Sequence, residues 1–139
     1  MGRILALDYG KRRIGLAISD ALGITAQPLP TFQRGRLRED LSGLARLIRE
    51  RGVNRLVFGD PKYMSGDMSP LAEAMREFAG KLAEQTGIEP IFWDERLTSS
   101  QAHRLLSEEG MSREDRKGKV DAIAATLLLE SYLQSLSCD

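Results

Sequence analysis

Residues 4–18 read Ile4-Leu-Ala-Leu-Asp8-Tyr-Gly10-Lys-Arg-Arg13-Ile-Gly15-Leu-Ala-Ile18, and the interpretation of the whole chain starts from them. Two apolar runs, 3–8 and 13–19, flank a short polar segment that contains Gly10. This spacing predicts an antiparallel β-hairpin, with Gly10 supplying the backbone freedom that a tight turn needs. The first strand ends on Asp8. Because a carboxylate is rarely buried without a partner, Asp8 is the first candidate for a functional residue.

The rest of the chain alternates strands with helices. In order, we predict a strand at 25–32, a helix from 37 to about 51, a strand at 53–59, a helix from 70 to 86, a strand at 90–93, and helices at 99–109 and 120–136. Pro28 and Pro30 restrict the 25–32 strand to a sheet edge. Ser69 is the expected N-cap of the fourth of these elements and Gly87 its end. The polar, charged stretch 110–119 is predicted to be a loop.

This order of elements indicates a single domain over residues 1–139, of the α/β class, with a five-stranded mixed sheet and helices on both faces. Right-handed crossovers place the fourth and fifth strands parallel to the first, on its side away from the second. The carboxyl ends of strands one, four and five then meet at one edge, where open α/β sheets place their sites. Asp8, Asp60 and Glu95 all lie at those ends.

Composition excludes several classes of protein. The 139 residues are 42% hydrophobic and 29% charged, and no apolar run approaches the roughly 18 residues of a membrane span. Without a signal-peptide pattern, and with one cysteine, we expect a cytoplasmic protein that binds no membrane. Twenty basic and twenty acidic residues balance, so excess positive charge does not itself indicate nucleic-acid binding. Basic residues nevertheless cluster at 11–13, 34–38 and 113–119.

Carboxylates at four places could carry chemistry: Asp8, Asp60, the pair Asp94 and Glu95, and Asp121. Two or three carboxylates around one point suit Mg²⁺ or Mn²⁺, which prefer oxygen ligands and can promote phosphodiester cleavage. Asp121 has a competing explanation, because an acid in the first turn of the predicted last helix favours the helix dipole. Asp94 and Glu95 alternate along the strand direction, so at most one should face the site, and the sequence does not choose between them.

Four motifs in order resemble the YqgF/RuvX family of Holliday junction resolvase-like and pre-16S rRNA nucleases. They are Asp8-Tyr-Gly10-Lys-Arg-Arg13-Ile-Gly15, Val57-Phe-Gly59-Asp-Pro61 followed by Gly66, Asp94-Glu95-Arg96-Leu-Thr98-Ser99, and Lys117-Gly-Lys119-Val-Asp121-Ala-Ile-Ala-Ala125. A single Asp-x-Gly is a weak signal, but the four together cover almost the whole chain. The resemblance implies an RNase H-like fold and divalent-metal phosphodiester hydrolysis.

The resemblance also implies roles for individual residues. Asp8, Glu95 and Asp121 would be the catalytic acids that hold Mg²⁺ or Mn²⁺, with Glu95 preferred over Asp94. The residues that would support these acids or the substrate phosphates are Gly10, Arg13, Arg96, Thr98 and Lys119. Asp60 departs from the family, which usually has a small apolar residue there. It is either an additional acid at the rim of the site or an ordinary loop residue.

The function expected from this resemblance is endonucleolytic cleavage of structured nucleic acid, namely 5′-end processing of pre-16S rRNA in ribosome biogenesis. One alternative is a Holliday junction resolvase of DNA recombination and repair, for which a homodimer would place two sites on symmetric strands. Another is a module that binds nucleic acid or assists ribosome assembly without catalysis. Actin-like ATPases share an Asp-x-Gly loop, but they need two such domains, and 139 residues leave no room for the second.

Overall fold

The computed structural model describes residues 2–60, 69–94 and 113–137, which contain five strands and three helices. These elements are β1 (Arg3–Tyr9), β2 (Arg13–Ser19), β3 (Ala26–Gln33), α1 (Leu37–Glu50), β4 (Val53–Asp60), α2 (Pro70–Thr86), β5 (Pro90–Asp94) and α3 (Arg113–Ser137). The helix predicted at 99–109 lies outside the described residues. No helix in the described ranges is long and apolar enough to span a membrane.

The five strands form one mixed sheet in the order β3-β2-β1-β4-β5. β1 pairs antiparallel with β2, and β2 pairs antiparallel with β3. β4 is parallel to β1, and β5 is parallel to β4. The predicted hairpin, the edge position of the proline-containing strand and the parallel fourth and fifth strands are all confirmed.

The two faces of the sheet carry different helices. Leu5, Leu7 and Phe58 point to the face covered by α1 and α2, which we call the α1/α2 face. Ala6 and Ala17 point to the other face and pack against α3, so we call it the α3 face. Because side chains alternate along a strand, these two sets fix the direction of every neighbouring residue in the same strand.

The ends of α2 follow the sequence prediction. Ser69 precedes the helix in an extended conformation, and its hydroxyl accepts a hydrogen bond from the Ala72 N–H at 3.0 Å. Gly87 ends the helix in the left-handed region, with φ of 77°, where glycine carries no Cβ penalty. The N-cap and the glycine stop are therefore confirmed.

The start of α3 differs from the prediction. The helix begins at Arg113, so residues 113–119 are helical and the predicted loop is wrong there. That segment lacks the apolar stripe by which a helix is recognised in a sequence, but Arg, Glu and Lys are good helix formers. Asp121 consequently lies inside the helix and not in its first turn. The helix dipole, which acts mainly within the terminal turn, no longer explains this carboxylate.

Candidate functional site

Asp8 is the second-to-last residue of β1. It is partly buried, and its Cα partner across the hairpin is Gly15. Ala6, two residues earlier, packs into the cluster on the α3 face. Period-two alternation therefore directs Asp8 to the α3 face as well.

Helix α3 comes into direct contact with the hairpin beside Asp8. A Cβ atom added at Gly15 would lie only 1.9 Å from the backbone carbonyl oxygen of Asp121. Only glycine allows the helix backbone to approach the strand so closely, since any other residue would displace one of the two elements. Because Gly15 is paired with Asp8, this contact brings Asp121 next to Asp8, although 112 positions of sequence separate the two acids.

Arg13 connects the hairpin to Asp121 through an ion pair. Its Nε donates a hydrogen bond to Asp121 Oδ2 at 2.6 Å. The side chains remain 30% and 21% exposed, so solvent or a ligand can reach the pair. Arg13 and Gly15 are two residues apart on β2, which places both on the α3 face. The arginine thereby fixes the orientation of the Asp121 carboxylate on the face of the sheet to which Asp8 also points.

Gly10 is needed for a different reason from the one predicted. Among the residues that the structure describes, the glycines with positive φ are Gly23, Gly52 and Gly87, and Gly10 is not one of them. A Cβ at Gly10 would instead lie 2.5 Å from the backbone carbonyl oxygen of Arg13. Gly10 is therefore required because its Cα packs against the Arg13 backbone. A side chain at position 10 would collide with the Arg13 carbonyl oxygen and widen the turn.

Arg34 stabilises this turn from outside the hairpin, a role that sequence reasoning missed. Its Nη1 donates hydrogen bonds to Tyr9 Oη at 2.9 Å and to the Gly10 carbonyl oxygen at 3.0 Å. Its guanidinium also stacks over the Tyr9 ring, with 4.8 Å from Cζ to the ring centroid. On the other side, Asp40 accepts from Arg34 Nε at 3.4 Å and from the Gly35 N–H at 2.9 Å. Arg34 thus links the turn of the hairpin to the start of α1.

Asp60 lies at the same edge of the sheet but on the opposite face. Phe58, two residues earlier, packs on the α1/α2 face, and Asp60 follows it there. Its Oδ2 accepts from Arg76 Nη2 at 2.5 Å, and the Arg76 guanidinium stacks over Phe92 at 4.3 Å. The sheet therefore separates Asp60 from Asp8. The structure places Asp60 at the end of β4, where the buried carboxylate pairs with the partly exposed Arg76 of α2, and not in a loop or at the rim of the site on the α3 face.

The remaining predicted residues are distributed unevenly. Lys119 is exposed on α3, two residues before Asp121. Asp94 is the last residue of β5, with Asp60 as its Cα partner. The predicted site residues Glu95, Arg96 and Thr98 lie outside the described residues. Within residues 2–60, 69–94 and 113–137, no group of three His, Cys, Asp or Glu side chains could hold a metal ion.

Comparison of the sequence with a family model and with individual relatives points to the same family. Residues 2–135 match the family model described as "RuvX: Holliday junction resolvase". A relative from Moorella thermoacetica is 46% identical over 96% of this chain and 96% of its own, and one from Carboxydothermus hydrogenoformans is 44% identical over 94% and 95%. Both relatives carry the name "Putative pre-16S rRNA nuclease".

Solved structures show the same fold at low sequence identity. Thermus thermophilus RuvC, in complex with a Holliday junction substrate, aligns with a TM-score of 0.57 and 12% identity over 98% of this chain and 96% of its own. Fowlpox virus resolvase, in complex with Holliday junction DNA, aligns with a TM-score of 0.59 and 16% identity over 96% and 98%. The predicted RNase H-like α/β fold is thereby confirmed.

Proposed function

This chain belongs to the RuvX family, and on that premise we propose that it is a divalent-metal-dependent endonuclease that processes the 5′ end of pre-16S rRNA. The reaction is the hydrolysis of a phosphodiester bond in structured nucleic acid. Relatives that share more than two fifths of its sequence over nearly its full length bear the name of an rRNA nuclease. The resemblance to DNA junction resolvases is at 12–16% identity and supports the fold alone.

The observation that carries this proposal is the contact between Gly15 and Asp121. It brings a carboxylate from near the end of the chain to the strand pair that carries Asp8, on one face and at one edge of the sheet. Packing alone does not require two acids there. Open α/β sheets bind ligands at the carboxyl ends of their strands. Carboxylates that converge there are typical of a site in which a bound cation contacts a negatively charged ligand.

The donor set of the described residues fits a hard divalent cation. Asp8 and Asp121 would hold Mg²⁺ or Mn²⁺ through carboxylate oxygens, and Glu95 is the third ligand proposed from the sequence. Such a metal, when bound, supplies an activated water and stabilises the charge that develops on the phosphate. We retain Glu95 over Asp94 for this role because of the family motif that contains it.

Arg13 has two tasks in the proposed site. Its Nε holds the Asp121 carboxylate, and its guanidinium carries four further N–H donors in a fixed planar arrangement. A guanidinium that is 30% exposed can therefore orient the acid and contact a phosphate oxygen of the substrate at the same time. Lys119, exposed on α3, is proposed as a second phosphate contact, with Arg96 and Thr98 assigned from the sequence.

The proposal is tested by parallel cleavage assays on a pre-16S rRNA 5′ segment and on a four-way DNA junction. Wild type and Asp8→Asn are each assayed with Mn²⁺, with Mg²⁺ and with a chelator. We expect cleavage of the RNA by wild type only when metal is present. The variant should be slower by about a thousandfold, equivalent to about 4 kcal/mol of transition-state stabilisation.

The outcomes separate the alternatives. Cleavage of the junction but not of the RNA would assign the chain to DNA recombination instead. Binding of either substrate without any metal-dependent cleavage would assign it a non-catalytic role. Full activity of a folded Asp8→Asn variant, with an unchanged thermal unfolding midpoint, would contradict the proposed site altogether.

A further inference from the structure

Two basic segments that are far apart in sequence meet at the edge of the sheet beside the proposed site. The first is the β1–β2 turn with Lys11 and Arg12, and the second is the connector between β3 and α1. The Arg34 N–H donates to the Arg12 carbonyl oxygen at 3.0 Å, and Arg34 Nη1 lies 3.4 Å from the Lys11 carbonyl oxygen. The backbones of the turn and the connector are therefore in direct contact.

The guanidinium of Arg34 bonds to groups within the protein, whereas the other four basic residues of positions 11–12 and 34–38 are exposed. We use the name turn–connector surface for Lys11 and Arg12 of the turn, Arg36 of the connector and Arg38 in the first turn of α1. None of the four forms an ion pair with a carboxylate in the part of the chain that the structure describes. Glu39 is exposed in the same segment, whereas Asp40 is buried and accepts from Arg34. In a chain with zero formal net charge, this concentration of positive charge is local.

The turn–connector surface lies within reach of one nucleic-acid backbone that also occupies the site. Arg12 is followed directly by Arg13, which pairs with Asp121. β2 lies between β1 and β3, and neighbouring strands are about 4.8 Å apart, so the lateral distance from Asp8 to the end of β3 is roughly 10 Å. Because α1 begins on the α1/α2 face, a backbone that contacts both the site and the start of α1 crosses the rim of the sheet beside β3. Each strand of a DNA duplex carries a phosphate about every 3.4 Å along the helix axis, and the spacing in RNA is of the same order. About three phosphates therefore match that distance.

We infer that the turn–connector surface binds the phosphate backbone of the nucleic acid on the side of the site that faces β3. This inference rests on the proposed nuclease function and deepens it, because it gives the path of the substrate across the sheet edge. Arginine suits the task, since its planar guanidinium matches phosphate geometry. Such contacts position a substrate without reading its sequence, so they add affinity for any RNA that carries the scissile phosphate.

The test measures how binding depends on salt, in a chain that cannot cleave. The parent protein is full-length Asp8→Asn, and the probe is a fluorescein-labelled RNA hairpin with a single-stranded 5′ extension. Into this parent we introduce Arg36→Ala with Arg38→Ala. The matched control is Arg46→Ala with Arg49→Ala, two exposed arginines further along α1. For each protein, log Kd is measured against log salt concentration by fluorescence anisotropy.

Each phosphate contact contributes about 0.7 to this slope for single strands and about 0.9 for duplexes. We expect the Arg36/Arg38 variant to lose at least one such contact, so that its slope falls by about 0.7 or more relative to the parent, while the control stays at the parent value. The inference is overturned if the slope decreases by less than about 0.7, or if the control variant shows the same decrease. Thermal unfolding midpoints verify folding, and Arg36→Gln with Arg38→Gln replaces any alanine variant that unfolds. If the parent itself shows no salt-dependent binding, the proposed function fails, and the inference fails with it.

Discussion

Each face of the sheet carries an arginine–aspartate ion pair at the same edge, but the two pairs differ in how exposed the aspartate is. On the α3 face Arg13 holds Asp121 at 2.6 Å, and on the α1/α2 face Arg76 holds Asp60 at 2.5 Å. The Asp121 side chain is 21% exposed, whereas the Asp60 side chain is 3% exposed. An acid next to an arginine therefore does not identify a site by itself. The two arginines are similarly exposed, at 30% and 32%, so what distinguishes the α3 face is the exposure of the carboxylate and the presence of a second carboxylate, Asp8, on the same face.

Exposure also decides what each pair contributes energetically. A partly exposed ion pair adds little to stability because water screens it, so Arg13 and Asp121 remain available to a charged ligand. A buried acid must keep its partner, since removing the partner leaves a desolvated charge uncompensated. Asp60 and Arg76 are accordingly expected to stabilise the contact between β4 and α2. Four substitutions test this division of roles, beginning with the one of largest effect.

Gly15→Ala should cause the largest loss of cleavage rate and stability among these substitutions, because it disturbs the packing of the α3 face. The added methyl group would lie 1.9 Å from the Asp121 carbonyl oxygen, so α3 must move away from β2. If Asp121 is a catalytic acid as proposed, displacing it by about 1 Å can cost a hundredfold in rate, and overpacking costs about 1–3 kcal/mol in stability. Cleavage rates on the pre-16S rRNA segment and urea unfolding measure the two effects.

The control for this substitution is Gly80→Ala on α2, where a Cβ meets no atom within 4 Å. That variant should keep full activity and gain stability, because alanine is the better helix former by about 1 kcal/mol. If Gly15→Ala were as active as this control, the close approach of α3 would not be what positions Asp121.

Asp60→Asn tests the α1/α2 face and should change stability without changing chemistry. The amide retains the shape of the carboxylate but loses the charge-assisted hydrogen bond to Arg76, so we expect the free energy of unfolding to fall by about 2 kcal/mol. The cleavage rate, measured well below the unfolding midpoint, should stay within about twofold of wild type. A tenfold loss in the folded variant would instead place Asp60 among the residues that act on the substrate.

Much of the fold could be predicted from the sequence because its signals are local. The hairpin around Gly10, the prolines of β3, and the Ser69 cap with Gly87 at the far end of α2 depend on residues close in the chain. The start of α3 could not be predicted in the same way. Its first turns carry charge without an apolar stripe, and helix propensity alone is a weak signal against a loop.

The two faces could not be told apart from the sequence. Residues 56–60 of β4 are buried on both sides, so hydrophobic alternation gives no direction for Asp60. Its face follows only from the register between β1 and β4, which pairs Leu7 with Phe58. The link from Arg34 to the hairpin turn likewise needs the register of β3. Resemblance to a family was required to connect Asp8 with Asp121, because nothing local joins them.

Arg34→Lys should produce an intermediate effect, since Arg34 supports the α3 face from a distance. Lysine retains the charge, but it cannot present the planar set of donors that bonds Tyr9, Gly10 and Asp40 together. The turn that precedes Arg13 should loosen, and we expect the cleavage rate to fall by about tenfold. The matched control is Arg46→Lys, an exposed position on α1 that should leave the rate unchanged. Equal rates for both variants would show that the turn needs no support from the connector.

The smallest effect is expected at Asp20, at the end of the sheet opposite Asp8, where an acid is balanced by backbone donors instead of an arginine. The N–H groups of Thr25 and Ile24 donate to Asp20 Oδ1 at 3.0 and 2.7 Å, and they hold the pKa of Asp20 below its ordinary value of 3.8. A lowered pKa in the folded state means that the carboxylate adds stability above about pH 3.8. This contribution disappears as the pH falls through the folded value.

Asp20→Ala should therefore unfold at a lower temperature than wild type near neutral pH, and the difference should shrink steadily as the pH is lowered below 3.8. Asp20→Asn is the control, because its amide oxygen still accepts both N–H groups and carries no titrating charge. Its difference from Asp20→Ala should be independent of pH. Cleavage should be unaffected in both variants, since the turn lies at the opposite edge from Asp8. A wild-type advantage over Asp20→Ala that stayed constant down to acid pH would show that the hydrogen bonds, and not the charge, stabilise this turn.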